Sequence, residues 1–178
     1  MITIEAFDLA ALRLRWPDIA RLQQDVPHEQ DLHYLAALAG RGARAVLARQ
    51  GWRLLGSYLH LPATEVPALA GNVEFVAELA MLEIGLGELS VATHIYVDGA
   101  VRGQGLSVRL AAARARDALA RGMTHGVLFA AQTPEIRSWA GRWPGILTTG
   151  GEDADGRAIC LVPLDGLRGA ATPQSSHA

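Results

Sequence analysis

Lysine is missing altogether: all 16 basic residues of this chain are arginine. That excludes every chemistry with an obligatory ε-amine, namely a Walker-type phosphate loop, a kinase strand lysine, and Schiff-base or pyridoxal catalysis. Cysteine occurs once, so Cys160 can form neither an internal disulfide nor a cysteine-based zinc site. It lies in the apolar run Ala158 to Val162 and reads as a buried structural thiol. Charged residues are 19% of the chain, aromatics 6%, and the net charge is −2. The basic surplus and interleaved aromatics of a nucleic-acid binder are therefore lacking. No apolar run approaches a membrane span, and the start of the chain, with Glu5 and Asp8 and no basic segment, does not read as a signal peptide. The expectation is a cytoplasmic protein with neither membrane nor nucleic acid as a partner.

What remains is 178 residues, half of them hydrophobic, which is one domain with one core. We place that domain at 1–164 and a disordered tail, rich in small and polar residues, at 165–178. Ile2 to Ala6 alternates as a short strand, Asp8 is a plausible helix N-cap, and Pro17 opens a second helical segment. Glu29 to Ala39 predicts a helix closed by Gly40, and Arg44–Gln50 and Trp52–Leu61 predict a hairpin about Gly51. Val73 to Ile84 predicts a helix with one apolar stripe at 73, 76, 77, 80, 81 and 84. A second stripe, at Phe75, Leu79, Leu82 and Leu86, makes this helix either buried or part of an interface. Leu89 to Val97 reads as a strand, Gln104 to Arg121 as a helix stopped by Gly122, and Val127 to Ala131 as a buried strand. Pro134 to Trp143 is a short helix, and Ile146–Gly150 and Arg157–Pro163 are a final strand pair.

The chemistry concentrates where the Leu89–Val97 strand turns into a helix. Gly103 and Gly105 permit a tight turn and a close approach of backbone to ligand. The helix start supplies unpaired N–H groups and a positive dipole end, and Arg102 adds a fixed charge beside them. This is an anion site suited to a phosphate or pyrophosphate. The dinucleotide fingerprint fails because Val108 stands at its third glycine.

The segment Arg102-Gly103-Gln104-Gly105-Leu106-Ser107 after His94-Ile95-Tyr96-Val97 resembles the pyrophosphate loop of the GNAT superfamily of acetyl-CoA-dependent N-acetyltransferases. The hairpin Leu47 to Tyr58, with its late glycine Gly56, is similar to the family's second and third strands, and about two-thirds of the chain follows the family order. The resemblance implies an α/β (α+β) fold: a mixed, mostly antiparallel central sheet flanked by helices, with a V-shaped opening between the fourth and fifth strands. It implies acetyl-CoA as donor and no metal. It also implies direct attack of a primary amine on the thioester in a ternary complex.

By the same resemblance, backbone groups of Ile95, Tyr96 and Val97 hold the pantetheine arm. Arg102, Gly103, Gln104, Gly105, Leu106 and Ser107 hold the pyrophosphate, and Gln132 and Trp139 flank the thiol end. For the base that the amine requires, His94 leads because imidazole titrates near neutrality, and Glu88 follows, acting through water. Period-two alternation puts 88, 90, 92 and 94 on one face unless a bulge intervenes. Trp139 stands where the family carries a proton-donating tyrosine, and an indole cannot be that acid. Ser138, a water, or unaided departure of the thiolate could replace it; a non-catalytic acyl-CoA-binding sensor or scaffold is the alternative.

Residues 64 to 87 are an insertion relative to the family, suited to a partner subunit in a homodimer, to a wall over the acceptor, or to core packing. The turn Glu152, Asp153, Asp155 either is a solvated turn or draws in a cationic amine such as an aminoglycoside, polyamine or peptide N-terminus. His28 and His33 are five apart, so on a helix their rings diverge by about 140° and cannot share a metal.

Overall fold

The computed structural model describes residues 1–22, 29–130, 145–153 and 155–169. Its strands are β1 (Thr3–Asp8), β2 (Arg44–Gln50), β3 (Arg53–Pro62), β4 (Leu89–Val97), β5 (His125–Ala130), β6 (Leu147–Glu152) and β7 (Ala158–Pro163). Its helices are α1 (Trp16–Arg21), α2 (Glu29–Gly40), α3 (Pro67–Ala70), α4 (Val73–Met81), α5 (Leu106–Ala120) and α6 (Leu164–Gly169). One sheet of seven strands runs in the order β1-β2-β3-β4-β5-β7-β6, and only the β4–β5 pair is parallel. The parallel step follows from the chain passing through α5 between these two strands, since a hairpin cannot join parallel neighbours.

The sheet separates two cores. On one face Leu9, Ile19, Leu35, Leu47, Leu59, Phe75 and Leu79 gather under α1, α2 and α4. On the other, Val46, Leu55 and Tyr58 pack against Leu106 and Leu110 of α5, and the far end of α5 packs with Val162, Leu164 and Leu167. Central β3 is buried from Leu54 to Leu61, the polar Ser57 and His60 included, because it is covered on both faces. Gly56 lets α5 lie close on it: a Cβ there would stand 2.9 Å from Leu110 Cδ1 and 3.0 Å from the Tyr96 carbonyl.

Three boundaries differ from the sequence reading. Asp8 ends β1, and a 3-10 segment Ala10–Arg15, not a capped α-helix, follows it. α5 starts at Leu106, because Gly105 adopts φ 71° as its N-cap and Gln104 stays in the loop. The ordered domain runs past Leu164, since buried Leu164 and Leu167 anchor α6. In α4 it is the stripe of Phe75 (0% exposed) and Leu79 (2%) that enters the core, while Val73 and Met81 of the longer stripe are 80% and 84% exposed. Cys160 is buried with a free thiol, as its apolar setting suggests.

Candidate functional site: a splayed strand pair and a glycine loop

β4 and β5 pair at Leu89/His125, Ser90/Gly126 and Val91/Val127, and among the described residues β4 has no partner in β5 beyond Val91. On its other side β4 pairs with β3, but the register slips: His60 faces Ala92 and Leu59 faces His94. Thr93 is therefore one residue too many, a β-bulge that turns β4 away from β5. Its hydroxyl donates to the Leu59 carbonyl at 3.2 Å. The strands diverge into a cavity of 330 Å³ lined by Ala92, Thr93 and Ile95 of β4, Leu128 and Phe129 of β5, and Tyr58. Ser107, Val108 and Ala111 of α5 and Arg157 complete it. Backbone donors and acceptors of β4 past the bulge thus face a cavity rather than a neighbouring strand, so an extended ligand can pair with them as a strand would.

The loop from Asp98 to Gly105 leads into α5, whose first turn brings Ser107 and Val108 to that cavity. Asp98 accepts from the Ala100 N–H at 2.9 Å and pairs with Arg53 at 2.7 Å, which holds its carboxyl below the usual range. Gly103 and Gly105 take φ 79° and 71°. A Cβ at either would meet nothing within 4 Å, so conformation alone requires glycine there. Arg102 Nε bonds back to the Val97 carbonyl at 3.3 Å. The first-turn N–H groups of Leu106, Ser107 and Val108 have no intrahelical acceptor, as at any helix start, and α5 adds its dipole. Buried Leu106 and Leu110 pin this helix end to the sheet. An anion bound here meets preset donors at the rim of the splay.

No family model and no curated protein matches the sequence. Solved structures do. An aminoglycoside 6'-N-acetyltransferase complexed with coenzyme A is 14% identical, with 91% of this chain and 97% of that chain covered and a TM-score of 0.61. A putative acetyltransferase of the GNAT family from Desulfovibrio desulfuricans is 13% identical over 92% and 99% of the two chains, with a TM-score of 0.59. The ribosomal-protein-S18-alanine N-acetyltransferase of Escherichia coli is 15% identical over 92% and 94%, with a TM-score of 0.54. This chain has the GNAT fold. The mixed, mostly antiparallel sheet and the V-shaped opening between β4 and β5 are those expected of it.

Within this GNAT fold the expected site residues divide. Ile95, Tyr96 and Val97 lie on β4 past the bulge, opposite Tyr58, Ser57 and Gly56. Arg102 to Ser107 form the glycine loop and the start of α5. Gln132 and Trp139 lie outside the described residues. Glu88 is drawn to the other end of the strand: its Oε2 accepts the Gly85 N–H at 2.8 Å and closes a 3-10 turn. At the usual strand rise that is roughly 16 Å from Thr93. The bulge also breaks the alternation that would group 88, 90, 92 and 94. Ser90 and Ala92 lie on the α5 side, whereas position 94 pairs with Leu59 of the opposite core. The His94 imidazole lies outside the described residues.

Two features of the site escaped the sequence reading. Tyr34 of α2 hydrogen-bonds the Thr93 side chain, and burial pushes its hydroxyl above the ordinary tyrosine range, so it stays protonated. Since Thr93 gives its own proton to Leu59, Tyr34 is the donor of the pair. A tyrosine in mid-helix carries no local signal that it will meet a strand bulge.

The second feature is a polar cluster behind the vertex of the V. Arg114, 1% exposed, donates to the Ser90 carbonyl and to Ser90 Oγ at 3.1 Å, and its guanidinium stands 5.5 Å from the Tyr58 ring. Ser90 Oγ is 3.0 Å from His60 Nδ1, and His60 Nε2 is 3.2 Å from Asp117. Arg44 grips Asp117 through Nε at 3.1 Å and Nη2 at 2.6 Å. Burial pushes the Asp117 carboxyl up, but the bonds and charges of His60 and Arg44 prevail and hold it well below the carboxylate range. Burial drives His60 down and keeps it neutral. Arg114 rests over the Ser90/Gly126 pair, in the middle of the three pairs that hold β4 to β5. Its partners lie on three separate elements, so no sequence motif announces them.

The acidic turn is largely spent internally. Arg157 bonds Asp153 through Nε at 2.7 Å and Nη2 at 2.6 Å, reaches Asp155 at 3.0 Å, and lies 5.5 Å from the Phe129 ring. A guanidinium thus lines the cavity, and two of the three carboxylates serve to hold it.

Proposed function

We propose that the chain is an N-acyltransferase that moves an acyl group, acetyl by default, from acyl-CoA to a primary amine. The carrying observation is the coincidence, at one cavity, of a bulged strand released from its neighbour and the first turn of a helix that a glycine loop starts. The residues present fit this donor: the glycine loop offers convergent N–H groups to a pyrophosphate, and β4 offers Ile95, Tyr96 and Val97 to a pantetheine amide. Solved neighbours that are acetyltransferases, one of them complexed with coenzyme A, support the reading.

In this reading backbone N–H groups of β4 hold the negative charge that develops on the thioester oxygen, in a cavity lined mainly by apolar side chains. His94 takes the proton of the attacking amine, and Gln132 and Trp139 flank the thiol. Tyr34, held at the bulge by Thr93, passes its proton to the departing thiolate. The acceptor is a small-molecule or peptide amine.

Thermal unfolding with acetyl-CoA, free CoA and ATP side by side tests the donor site, since a ligand of the folded state raises Tm, by about 2.7 kcal/mol of stability at a hundredfold excess over Kd. Stabilisation by both CoA species and not by ATP is expected, followed by turnover of acetyl-CoA with an amine panel. No shift with any of them overturns the proposal.

A further inference from the structure

As the oxygen of a thioester takes on negative charge it can accept from two donors at once, and β4 supplies one of them. N–H groups on one edge of an extended strand recur at every second residue, roughly 7 Å apart, so whichever of them meets that oxygen meets it alone. A second donor has to be a side chain of the cavity. Among the described residues the polar side chains lining it are those of Tyr58, Thr93, Ser107 and Arg157. Thr93 gives its proton to the Leu59 carbonyl. Ser107 stands in the first turn of α5, at the pyrophosphate end. Arg157 is engaged by Asp153 and Asp155 in the turn between β6 and β7. Tyr58 alone is left.

Tyr58 is set up to donate. It lies on β3 opposite Ile95, is 6% exposed, and packs with Leu106 and Leu110 on the α5 side of the sheet. Its hydroxyl accepts from Arg114, whose guanidinium rests over the Ser90/Gly126 pair, so the hydroxyl is directed to the vertex where β4 leaves β5. A phenol that accepts keeps its own proton to give, and no described residue takes that proton. Behind it, Arg114 is a buried cation whose Nε has no hydrogen-bond partner, and no carboxylate among the described residues pairs with it. Asp117, one turn further along α5, is held by Arg44 and His60. A cation buried without a counter-ion favours any negative charge that develops beside it, and it strengthens the phenol it bonds as a donor.

We propose that Tyr58, polarised by Arg114, is the second hydrogen-bond donor to the thioester oxygen, an inference that rests on the acyltransferase reading. As the amine nitrogen bonds to the carbonyl carbon, the carbonyl π pair moves onto oxygen, between a β4 N–H and the Tyr58 hydroxyl. It returns as the C–S bond breaks. Tyr58 lends a hydrogen bond and keeps its proton, so the proton transfers given to His94 and Tyr34 are unchanged.

Tyr58→Phe keeps the ring and removes only the donor. The whole protein is loaded with acetyl-CoA isotopically labelled at the thioester carbonyl carbon, and the carbonyl band is read by difference infrared spectroscopy. A hydrogen bond lowers that stretch, so the band should lie at higher wavenumber in Tyr58→Phe than in the parent. kcat should fall about a hundredfold with KM for acetyl-CoA little changed. Stabilisation by free CoA, which has no thioester carbonyl, should match that of the parent. Arg114→Met should move the band in the same direction by less, and an unmoved band there overturns the part given to Arg114. A parent-like band or a parent-like kcat in Tyr58→Phe overturns the proposal and leaves the acyltransferase reading standing. So does an equal loss of stabilisation by CoA and acetyl-CoA in that variant, which would make Tyr58 a packing residue of the site. A parent that CoA does not stabilise overturns both.

Discussion

If Arg114 clamps the vertex of the cleft, a methyl group at Gly126 should pry it open. A Cβ at 126 would stand 2.6 Å from Nη1, 3.1 Å from Nη2 and 3.2 Å from Cζ of Arg114. The backbone does not object, because Gly126 uses no positive φ. Alanine there would, on its own, stabilise the fold by about 0.4–1 kcal/mol through the unfolded chain. The guanidinium cannot retreat without cost: it is 1% exposed and committed to the Ser90 carbonyl and hydroxyl. Hydrogen bonds from a charged donor contribute about 1.5–3 kcal/mol each, so weakening both should leave Gly126→Ala less stable by about 2–4 kcal/mol. In an Arg114→Met background the obstacle is gone, and the same change should be neutral or stabilising by up to about 1 kcal/mol. Urea unfolding of the four proteins closes a double-mutant cycle with an expected coupling of about 3 kcal/mol. An equal cost of Gly126→Ala in both backgrounds would refute the reasoning, since the methyl would then be striking something other than Arg114.

Gly105→Ala forces a Cβ into φ 71°, which costs about 1–2 kcal/mol. The variant should fold with a slightly lower Tm and lose stabilisation by CoA; a full CoA shift would remove the loop from the donor site. Tyr34→Phe should lower kcat about a hundredfold while leaving the affinity for acetyl-CoA unchanged. Parent-like turnover across the pH range would exclude it as the proton donor. Stability should fall on acidification, because His60 and Asp117 both titrate lower folded than unfolded. Each stabilises fully above its unfolded pKa, about 6.5 and 3.9, and loses that contribution as pH drops toward its folded value. Tm followed from pH 8 to about pH 2 should thus decline in two stages, and His60→Gln should flatten the first; an unchanged slope in that variant would show that His60 is not its source.

Period-two and period-3.6 patterns in the sequence already marked β2 and β3, the buried strand β5 and the long helix after the glycine loop. Those patterns report burial on one side of a local element, and neighbours in the chain are enough to produce them. The loop was legible for a similar reason: Gly103 and Gly105 serve φ values that side chains resist, so the requirement is written into single residues. Which stripe of α4 would be buried was not legible, because two apolar faces compete for one core and only the position of β6 chooses between them.

The sequence by itself therefore determined the fold class, the glycine loop and the solitary buried thiol, each a matter of residue type and local spacing. Only the tertiary structure decided the rest of the site. The extra residue at Thr93 is defined by its register against β3, the partners of Arg114 come from three elements, and Tyr34 reaches the bulge from a helix on the far face of the sheet. Glu88, close to His94 in the chain, is carried away by the length of a strand. Proximity across a sheet depends on pairing and packing, and these are properties of the folded chain that no stretch of sequence carries alone.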